Sequence, residues 1–474
     1  MDEKLGKFID DFSGLVQLAQ AGRHRQPEGE QLLEVLAGHL HEPAEGLSVV
    51  EEKIPPHRFV DADIVMAGFA AHDPGSRLVG IGGGGQRLHQ SFSDMVQKHQ
   101  LFPQLPLSQP DYTNLAVGPD RQRQVVAMGL WLVSFDGGPL AVLQRDADPR
   151  TGRQTATLEV LAATPEKAAA FLAEFRLRMD NNSVLKSQVI SLVMSEFGPS
   201  TAGVTFHHRP SLPASDVILP DGLLQKVAGH TVGIATHRAS LKEHGQHLKR
   251  GILLYGPPGT GKTHTVRHLL SQSEGSTAIL LSGGSLARIS EAARMARALQ
   301  PSIVVLEDCD LIAEDRSFGH GPQPLLFEVL DAMDGLDNDA DVAFVLTTNR
   351  PDMLERALAQ RPGRVDLAVE IPLPAYAERV RLLELYGRLV AFSPAALNVA
   401  AERTEGTTAS FARELVRRAV VAAALEDTPV SDSHLTAAVE DLMADAETLT
   451  RSLLGSGTDA GRTPGFPGPA SSGS

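Results

Sequence analysis

The chain has 474 residues, with 43 Lys and Arg against 58 Asp and Glu, so its formal net charge at pH 7 is −15. This length predicts two to four domains, and the acidic balance argues against general binding to nucleic acid or to anionic membranes. The single cysteine, Cys309, excludes an internal disulfide framework and a zinc site built on cysteines, and it suits a reducing compartment.

The start of the chain and its hydropathy favour a soluble protein. The first residues, MDEKLGKFIDDF, carry acids where a signal peptide needs positive charge. No uninterrupted apolar run approaches the ~18 residues of a membrane span. We therefore expect a cytoplasmic protein without a membrane span.

Residues 1–195 are predicted to form an α+β domain. Apolar residues at helical spacing predict two short helices within residues 1–40. The sequence DGG at 136–138 lies between two apolar segments and predicts a hairpin. Thr164 followed by Pro165 predicts the start of a helix. We find no catalytic constellation in this domain and expect it to select a client.

Two stretches that could suggest ligand sites are interpreted as loops. The glycine run GIGGGGQRL at 80–88 lacks the strand-to-helix context of a dinucleotide fingerprint, so a flexible loop is favoured over a second phosphate site. Residues 196–220 carry four prolines and are predicted to be a linker. His207 and His208 within it are interpreted as incidental, because a metal site needs three or four ligands.

The stretch GILLYGPPGTGKT at 251–263 predicts a nucleotide site. An apolar run leads into the pattern G-x-x-x-x-G-K-T, whose glycines let the backbone approach phosphate closely and adopt torsions that a Cβ forbids. We expect Lys262 to reach the β- and γ-phosphates, and Thr263 to hold Mg²⁺. The helix that begins near Lys262 directs its positive end at the anion. The predicted nucleotide-binding residues are Gly256, Pro257, Pro258, Gly259, Thr260, Gly261, Lys262, Thr263 and His264.

A four-residue apolar strand, 303–306, ends in the carboxylates of Glu307, Asp308 and Asp310. Carboxylates at the end of a buried strand are costly to desolvate unless they serve a cation. Here the cation would be the Mg²⁺ of a nucleotide, with one carboxylate ordering it and its neighbour polarising the attacking water. We predict Glu307 and Asp308 as catalytic residues.

A second apolar strand, VAFVLTTN at 342–349, ends in Asn349, whose side chain can hydrogen-bond to the γ-phosphate or to the same water. Arg361 and Arg364 follow, three residues apart around a Pro-Gly turn. Arginines there cannot easily reach their own nucleotide, so we predict that they stabilise charge on the γ-phosphate of a neighbouring subunit. The alternative is an intrachain salt bridge.

This ordered set of motifs resembles the AAA family of the AAA+ ATPases over about residues 215–445. The set comprises the phosphate loop, the acidic strand end, MDG at 333–335, TTN at 347–349 and RPGR at 361–364. The resemblance implies an α/β fold, a doubly wound parallel sheet with a C-terminal helical lid. It also implies ring-shaped oligomers, usually hexamers, that bind ATP and Mg²⁺ between protomers.

The resemblance divides the C-terminal half into a large α/β subdomain at 221–372 and a helical lid at 373–450. In the lid, Ala409 and Ser410 occupy the place where the family usually has Gly-Ala. The tail, 451–474, is rich in Gly, Pro and Ser, and we expect it to be disordered.

The chain departs from the family pattern in the order of its acidic pair and in its pore loop. The family normally has Asp then Glu, whereas Glu307 precedes Asp308 here; the same order resembles the mitochondrial translocase of the Rieske iron–sulfur protein. By position, Asp308 is expected to orient water and Glu307, with Thr263, to hold the metal. The loop SGGSLARIS at 282–290 lacks the aromatic residue of protein-threading members, and Phe318 is a weak substitute.

We therefore expect an oligomeric AAA ATPase that couples ATP hydrolysis to remodelling or translocation of an unknown protein client. One alternative is a nucleotide-dependent assembly scaffold or switch with little turnover. A nucleic-acid motor is the other alternative, and the net charge argues against it.

Overall fold

The computed structural model describes residues 30–83, 87–97, 105–148, 153, 155–192, 203–310, 340–351 and 365–444. It has two compact units, residues 1–184 with 195–204 and residues 185–194 with 205–474. Several predicted features lie outside the described residues: the first N-terminal helix, Phe318, the MDG motif, Arg361, Arg364 and the tail at 451–474.

The first unit is built on a seven-stranded sheet in which each strand pairs antiparallel with its neighbours. The order is β1-β7-β6-β5-β2-β3, and β4 also pairs with β5. The strands are β1 (Val49–Ile54), β2 (Arg77–Ile81), β3 (Leu107–Ser108), β4 (Asp111–Gly118), β5 (Arg121–Phe135), β6 (Gly138–Arg145) and β7 (Ala156–Ala162), and the helices are α1 (Leu32–Leu40), α2 (Phe59–Ala71), α3 (Phe92–Gln97) and α4 (Pro165–Asn181).

Helices cover both faces of this sheet, and so its central strands are apolar at successive positions. Val142 and Val160 belong to the core that contains residues of α2 and α4. Leu143 and Leu161, their neighbours in sequence, belong to the core that contains residues of α1 and α3. Successive side chains of a strand point to opposite faces, so one strand contributes to both cores. The predicted α+β character of this unit is observed.

The hairpin and the start of the helix at Thr164, both predicted in this unit, are confirmed. The hairpin joins β5 to β6, with Phe135 paired to Gly138. Asp136 and Gly137 both have positive φ, 48° and 72°, as a two-residue hairpin turn that matches the strand twist requires. At the start of α4, the hydroxyl of Thr164 accepts a hydrogen bond from the backbone N of Lys167.

The second unit contains a seven-stranded sheet in the order β14-β10-β13-β12-β11-β8-β9. The neighbouring strands from β14 to β8 pair parallel. Its strands are β8 (Val189–Leu192), β9 (Val204–His207), β10 (Arg250–Tyr255), β11 (Thr277–Ser282), β12 (Ser302–Glu307), β13 (Val342–Thr348) and β14 (Leu367–Glu370). Its helices before the lid are α5 (Leu223–Ala228), α6 (Ile234–Thr236), α7 (Arg238–Glu243), α8 (Lys262–Gln272) and α9 (Ile289–Ala298), with a π-helical turn at Gly229–Gly233 between α5 and α6.

The lid is helical, as the resemblance implied. It has its own core, in which Phe411 and Leu415 pack with Leu382 and Leu435. Phe411, Leu415 and Leu435 are at most 1% exposed. The lid helices are α10 (Tyr376–Tyr386), α11 (Pro394–Arg403), α12 (Ala409–Leu425) and α13 (Asp432–Met443).

The structure corrects the predicted boundary at residue 195. Strand β8 pairs with β11 inside the second sheet, so the second unit begins near residue 185. Two strands that lie far apart in sequence form this pairing, and the apolar run of β8 alone does not show which sheet it joins. The correction moves the residues from 185 onward out of the predicted N-terminal domain and into the second unit.

The described part of the predicted linker at 196–220 is packed structure. It contains β9, and Val217 and Leu219 are buried in the core of the second sheet. Arg209 holds the segment by donating hydrogen bonds to the carbonyls of Leu270 and Ser276, at 2.9 and 2.7 Å. A guanidinium is favourable at a helix C-terminus because the last carbonyls lack helical partners. The prolines therefore mark irregular backbone rather than a free linker.

No helix in the described part of the chain combines the length and apolar character needed to cross a membrane.

A buried ion pair ties β10 to the start of β13 in the second unit. The guanidinium of Arg250 lies 2.9 Å from Asp341 and donates to the carbonyls of Leu248 and Thr231. Arg250 and Asp341 are 3% and 4% exposed. Removing one partner would leave a buried, uncompensated charge.

We expect Arg250→Met to lower the free energy of unfolding of the second unit by about 3–5 kcal/mol. Urea denaturation measures this change. Arg238→Met is the matched control, because Arg238 is half exposed and lies 3.8 Å from the same carboxylate; it should cost less than about 1 kcal/mol. Equal losses in the two variants would contradict the prediction.

Candidate functional site

The predicted phosphate loop connects β10 to α8, in the strand-loop-helix arrangement that the motif requires. Gly256, Gly259 and Gly261 have φ of 144°, 78° and 112°, a region that side chains with a Cβ rarely adopt. A Cβ on Gly256 would also lie 2.2 Å from the carbonyl O of Ile371. Glycine is therefore required at these positions by the backbone torsions and, at Gly256, by the close approach of Ile371, in addition to any need to bind a ligand.

Lys262 is buried at the base of this loop and is 6% exposed. Its Nζ donates hydrogen bonds to the carbonyls of Gly256 and Pro257, at 2.8 and 2.9 Å. Burial lowers the pKa of the ammonium to about 8, and the nearby carboxylates of Asp308 and Asp310 oppose that shift. A buried ammonium held by neutral carbonyls is well suited to bind an added phosphate.

Glu307 and Asp308 lie at the carboxyl end of β12, as predicted. The side chain of Thr263 lies near that of Glu307. Burial is the main cause that raises the pKa of Glu307, and the charge of Asp308 raises it further. Thr263 and Arg267 act in the opposite direction and lower the pKa of this carboxyl. Asp308 has a φ of 53°, unusual for a residue with a Cβ, and follows directly after the strand.

The donor set at this end of β12 fits Mg²⁺. The hydroxyl of Thr263 and the carboxylate of Glu307 lie near each other, and both are oxygen ligands of the kind that this cation prefers. Lys262, beside Thr263, would contact the phosphates of a nucleotide that shares the cation. Within the described residues, no group of three or more His, Cys, Asp and Glu side chains could hold a metal ion alone.

Asn349 is brought beside the acidic strand end because β13 and β12 are adjacent parallel strands. Its backbone N donates to Oδ1 of Asp310 at 3.1 Å, and its Nδ2 lies 3.5 Å from Oδ2 of the same residue. Asp310 was not predicted as a site residue, although it is the third acid at the strand end. The sequence did contain a signal for a site role of Asp310, namely its place beside the two predicted catalytic acids.

Ser410 of the lid contacts the phosphate loop, and His264, directly after the loop, contacts the segment that precedes α5. Nε2 of His264 lies 3.2 Å from the carbonyl of Asp216, and burial lowers the pKa of its imidazole. Ser410, in the first turn of α12, donates from its backbone N to the carbonyl of Gly259 at 3.1 Å. No site role was predicted for Ser410, although the resemblance had placed it at a family position in the lid.

The remaining predicted loop residues lie in the same loop. Thr260 is buried and its hydroxyl donates to the carbonyl of Pro257 at 2.9 Å, while Pro258 is exposed. The segment at 282–290 contains a 3₁₀ turn, Gly283–Arg288, with Leu286 buried beneath it. Its exposed residues are Ser282, Gly283, Gly284, Ala287 and Ser290.

Comparison with known proteins matches residues 252–373 to the family described as "ATPase family associated with various cellular activities (AAA)". The proteasome-activating nucleotidase of Pyrococcus abyssi is 30% identical over 281 residues, which cover 56% of this chain and 70% of that protein. The chain belongs to the AAA family of ATPases. Its doubly wound sheet and helical C-terminal region are those of a P-loop AAA+ fold.

Other relatives match shorter parts. The proteasome-activating nucleotidase of Thermococcus onnurineus is 31% identical over 246 residues, covering 49% of this chain and 61% of that protein. The 26S proteasome regulatory subunit 10B of Dictyostelium discoideum is 39% identical over 151 residues, covering 29% of this chain and 38% of that protein. The match to the first of these relatives thus spans about three fifths of its length. Similarity to the Rieske-protein translocase type stays a prediction.

Nucleotide affinity should fall as the pH rises through the pKa of Lys262. That pKa is about 8 in the ligand-free protein. A bound phosphate raises it, so above about pH 8 the protein must take up a proton to bind. We expect ADP affinity, measured by calorimetry without Mg²⁺, to fall about tenfold between about pH 7 and pH 9. Lys262→Arg is the control: its guanidinium stays charged, so its profile should be flat. A flat profile in the parent would contradict the assignment.

Proposed function

We propose that this AAA chain hydrolyses ATP as a subunit of a ring, and that hydrolysis remodels a protein client. The observation that carries the proposal is the meeting of three strand ends. Lys262 lies after the loop that follows β10. Glu307 is the last residue of β12 and Asp308 follows it, while Asn349 directly follows β13. The sheet order places β13 between β10 and β12.

The chain's own groups divide the work of phosphoryl transfer. Lys262 leaves its two loop carbonyls and binds the β- and γ-phosphates, and the loop amides and the N-terminus of α8 hold the remaining phosphate oxygens. Thr263 and Glu307 would hold Mg²⁺, which would neutralise charge on the phosphates. The carboxylate of Asp308 orients a water and accepts its proton, while the amide of Asn349 contacts the γ-phosphate.

The ring is proposed from the two arginines of the RPGR motif. Arg361 and Arg364 would stabilise charge on the nucleotide of a neighbouring subunit, so hydrolysis would require assembly. The relatives support an oligomer of subunits with this function, since one of them is named as a regulatory subunit of the 26S proteasome. We propose a hexamer in the cytoplasm.

The client is proposed to be a protein that the N-terminal unit selects. This unit lies outside residues 252–373, the part that matches the AAA family. The relatives named as proteasome-activating nucleotidases support a protein substrate over nucleic acid, and so does the net charge of −15.

A nucleotide-dependent assembly switch is the second candidate, and one observation favours it. The exposed residues of the segment at 282–290 are small, and its apolar Leu286 and Ile289 are buried. That segment therefore offers no large apolar side chain with which to grip an extended polypeptide. Steady-state ATPase activity with and without a client separates the two candidates. Stimulation by a client would favour the remodelling hypothesis, whereas a switch should show no such stimulation.

Substitutions in the acidic pair should separate hydrolysis from metal binding. Asp308→Asn keeps the shape but cannot accept a proton, so we expect hydrolysis to slow by about 10²-fold or more while ATP still binds. Glu307→Gln should make binding and turnover more dependent on Mg²⁺ concentration. Steady-state kinetics with a Mg²⁺ titration measures both effects. If the two phenotypes are exchanged, the two residues have exchanged roles.

Mixing two inactive variants tests the ring. Arg364→Ala should bind ATP but hydrolyse it on the order of 10³-fold more slowly, and Lys262→Ala should not bind it. In a mixed ring, an intact phosphate loop of one subunit meets an intact arginine of the other, so ATPase activity should reappear. Mixed rings without recovered activity would count against the assignment in trans, and a fully active monomer would remove the ring from the mechanism.

A further inference from the structure

The ends of β12 and β13 stay joined after their last paired residues. The backbone N of Asp308 donates to the hydroxyl of Thr347 at 3.0 Å, and the backbone N of Cys309 donates to the carbonyl of Thr347 at 2.9 Å. Asp310 then accepts from Thr348 Oγ1 and from the backbone N of Asn349, both at 3.1 Å. These bonds fix residues 308–310 against residues 347–349.

Both oxygens of Asp310 contact the end of β13. Oδ1 accepts the two bonds from Thr348 and Asn349, and Oδ2 lies 3.5 Å from Nδ2 of Asn349. The Thr348 hydroxyl in turn accepts from the backbone N of Arg350 at 3.0 Å. The hydrogen bonds of Asp310 thus go to the end of β13, whereas the carboxylate of Glu307 lies near Thr263.

The charge of Asp310 also selects the orientation of the Asn349 amide. An ionised carboxylate only accepts hydrogen bonds, so it favours the amide with Nδ2 toward it. One N–H of Nδ2 then faces Asp310, while the second N–H and the carbonyl Oδ1 remain for other contacts. The amide is thereby pre-organised to donate to a γ-phosphate, and such pre-organised donors contribute strongly to catalysis.

We propose that Asp310 is a positioning residue for ATP hydrolysis. It fixes the orientation of the Asn349 side chain, and it holds Asn349 next to the end of β12 that carries Asp308. This inference rests on the proposed function. It assigns Asp310 no contact with substrate or metal.

The substitution Asp310→Asn tests the orientation specifically. Its Oδ1 can still accept from Thr348 and from the backbone of Asn349, so the backbone contacts survive. Its own Nδ2 must then face the Asn349 side chain, and two N–H donors would meet unless the Asn349 amide turns over. The variant therefore reverses one hydrogen bond and keeps the others.

A double-mutant cycle on the full-length protein measures the coupling. We expect Asp310→Asn to lower kcat by about 10- to 100-fold, with the Kd for ADP within about twofold of the parent. Asn349→Ala should lower kcat similarly. If Asp310 acts through Asn349, the double variant should be no slower than Asn349→Ala, within about twofold. The proposal would be overturned if the losses in kcat of the two single variants multiplied in the double variant. It would also be overturned if Asp310→Asn kept the kcat of the parent.

Asp366→Asn is the matched control. Its carboxylate also holds a backbone N, that of Gly251 at 2.8 Å, but at the start of β10, the opposite end from the phosphate loop. It should keep kcat within about twofold of the parent. An equal loss in this control would mean that the effect of Asp310→Asn is structural and would overturn the proposal. A parent that hydrolyses no ATP would instead refute the proposed function.

Discussion

The parallel pairing of β10, β13 and β12 is the constraint on which the candidate site depends. Parallel neighbours end at the same edge of a sheet, so three segments distant in sequence deliver their next residues to one place. The strands themselves are buried almost throughout. Their apolar side chains secure the sheet, and this lets the edge carry a buried lysine and several carboxylates that would otherwise be costly.

The parts of the site that lie in one continuous segment could be predicted from the sequence. The phosphate loop carries its strand, its positive-φ glycines and its helix within residues 251–272, so local patterns suffice. The same holds for Glu307 and Asn349, since each lies at the end of a short strand that contains an apolar run. The DGG hairpin and the Thr164 cap are equally local, and both are found in the structure.

The features that sequence reasoning missed are all contacts between distant segments. Strand β8 joins β11 across almost ninety residues, Arg209 reaches the end of α8, and Ser410 reaches Gly259. Periodicity identifies an element but does not name its partner. Asp310 illustrates the same limit, since an acid near a metal site suggests metal binding until its hydrogen bonds to β13 are seen.

The segment at 216–219 packs against both the lid and the sheet that carries the candidate site. Val217 and Leu219 pack into the sheet core, whereas Ile218 between them packs against the lid core. Asp216 likewise contacts both sides, with its carbonyl near His264 and its carboxylate 3.2 Å from Arg388. Alternate residues of an extended segment point in opposite directions, so this strip of chain belongs to both cores at once. The lid is therefore joined to the sheet by this segment and to the phosphate loop by the Ser410 bond.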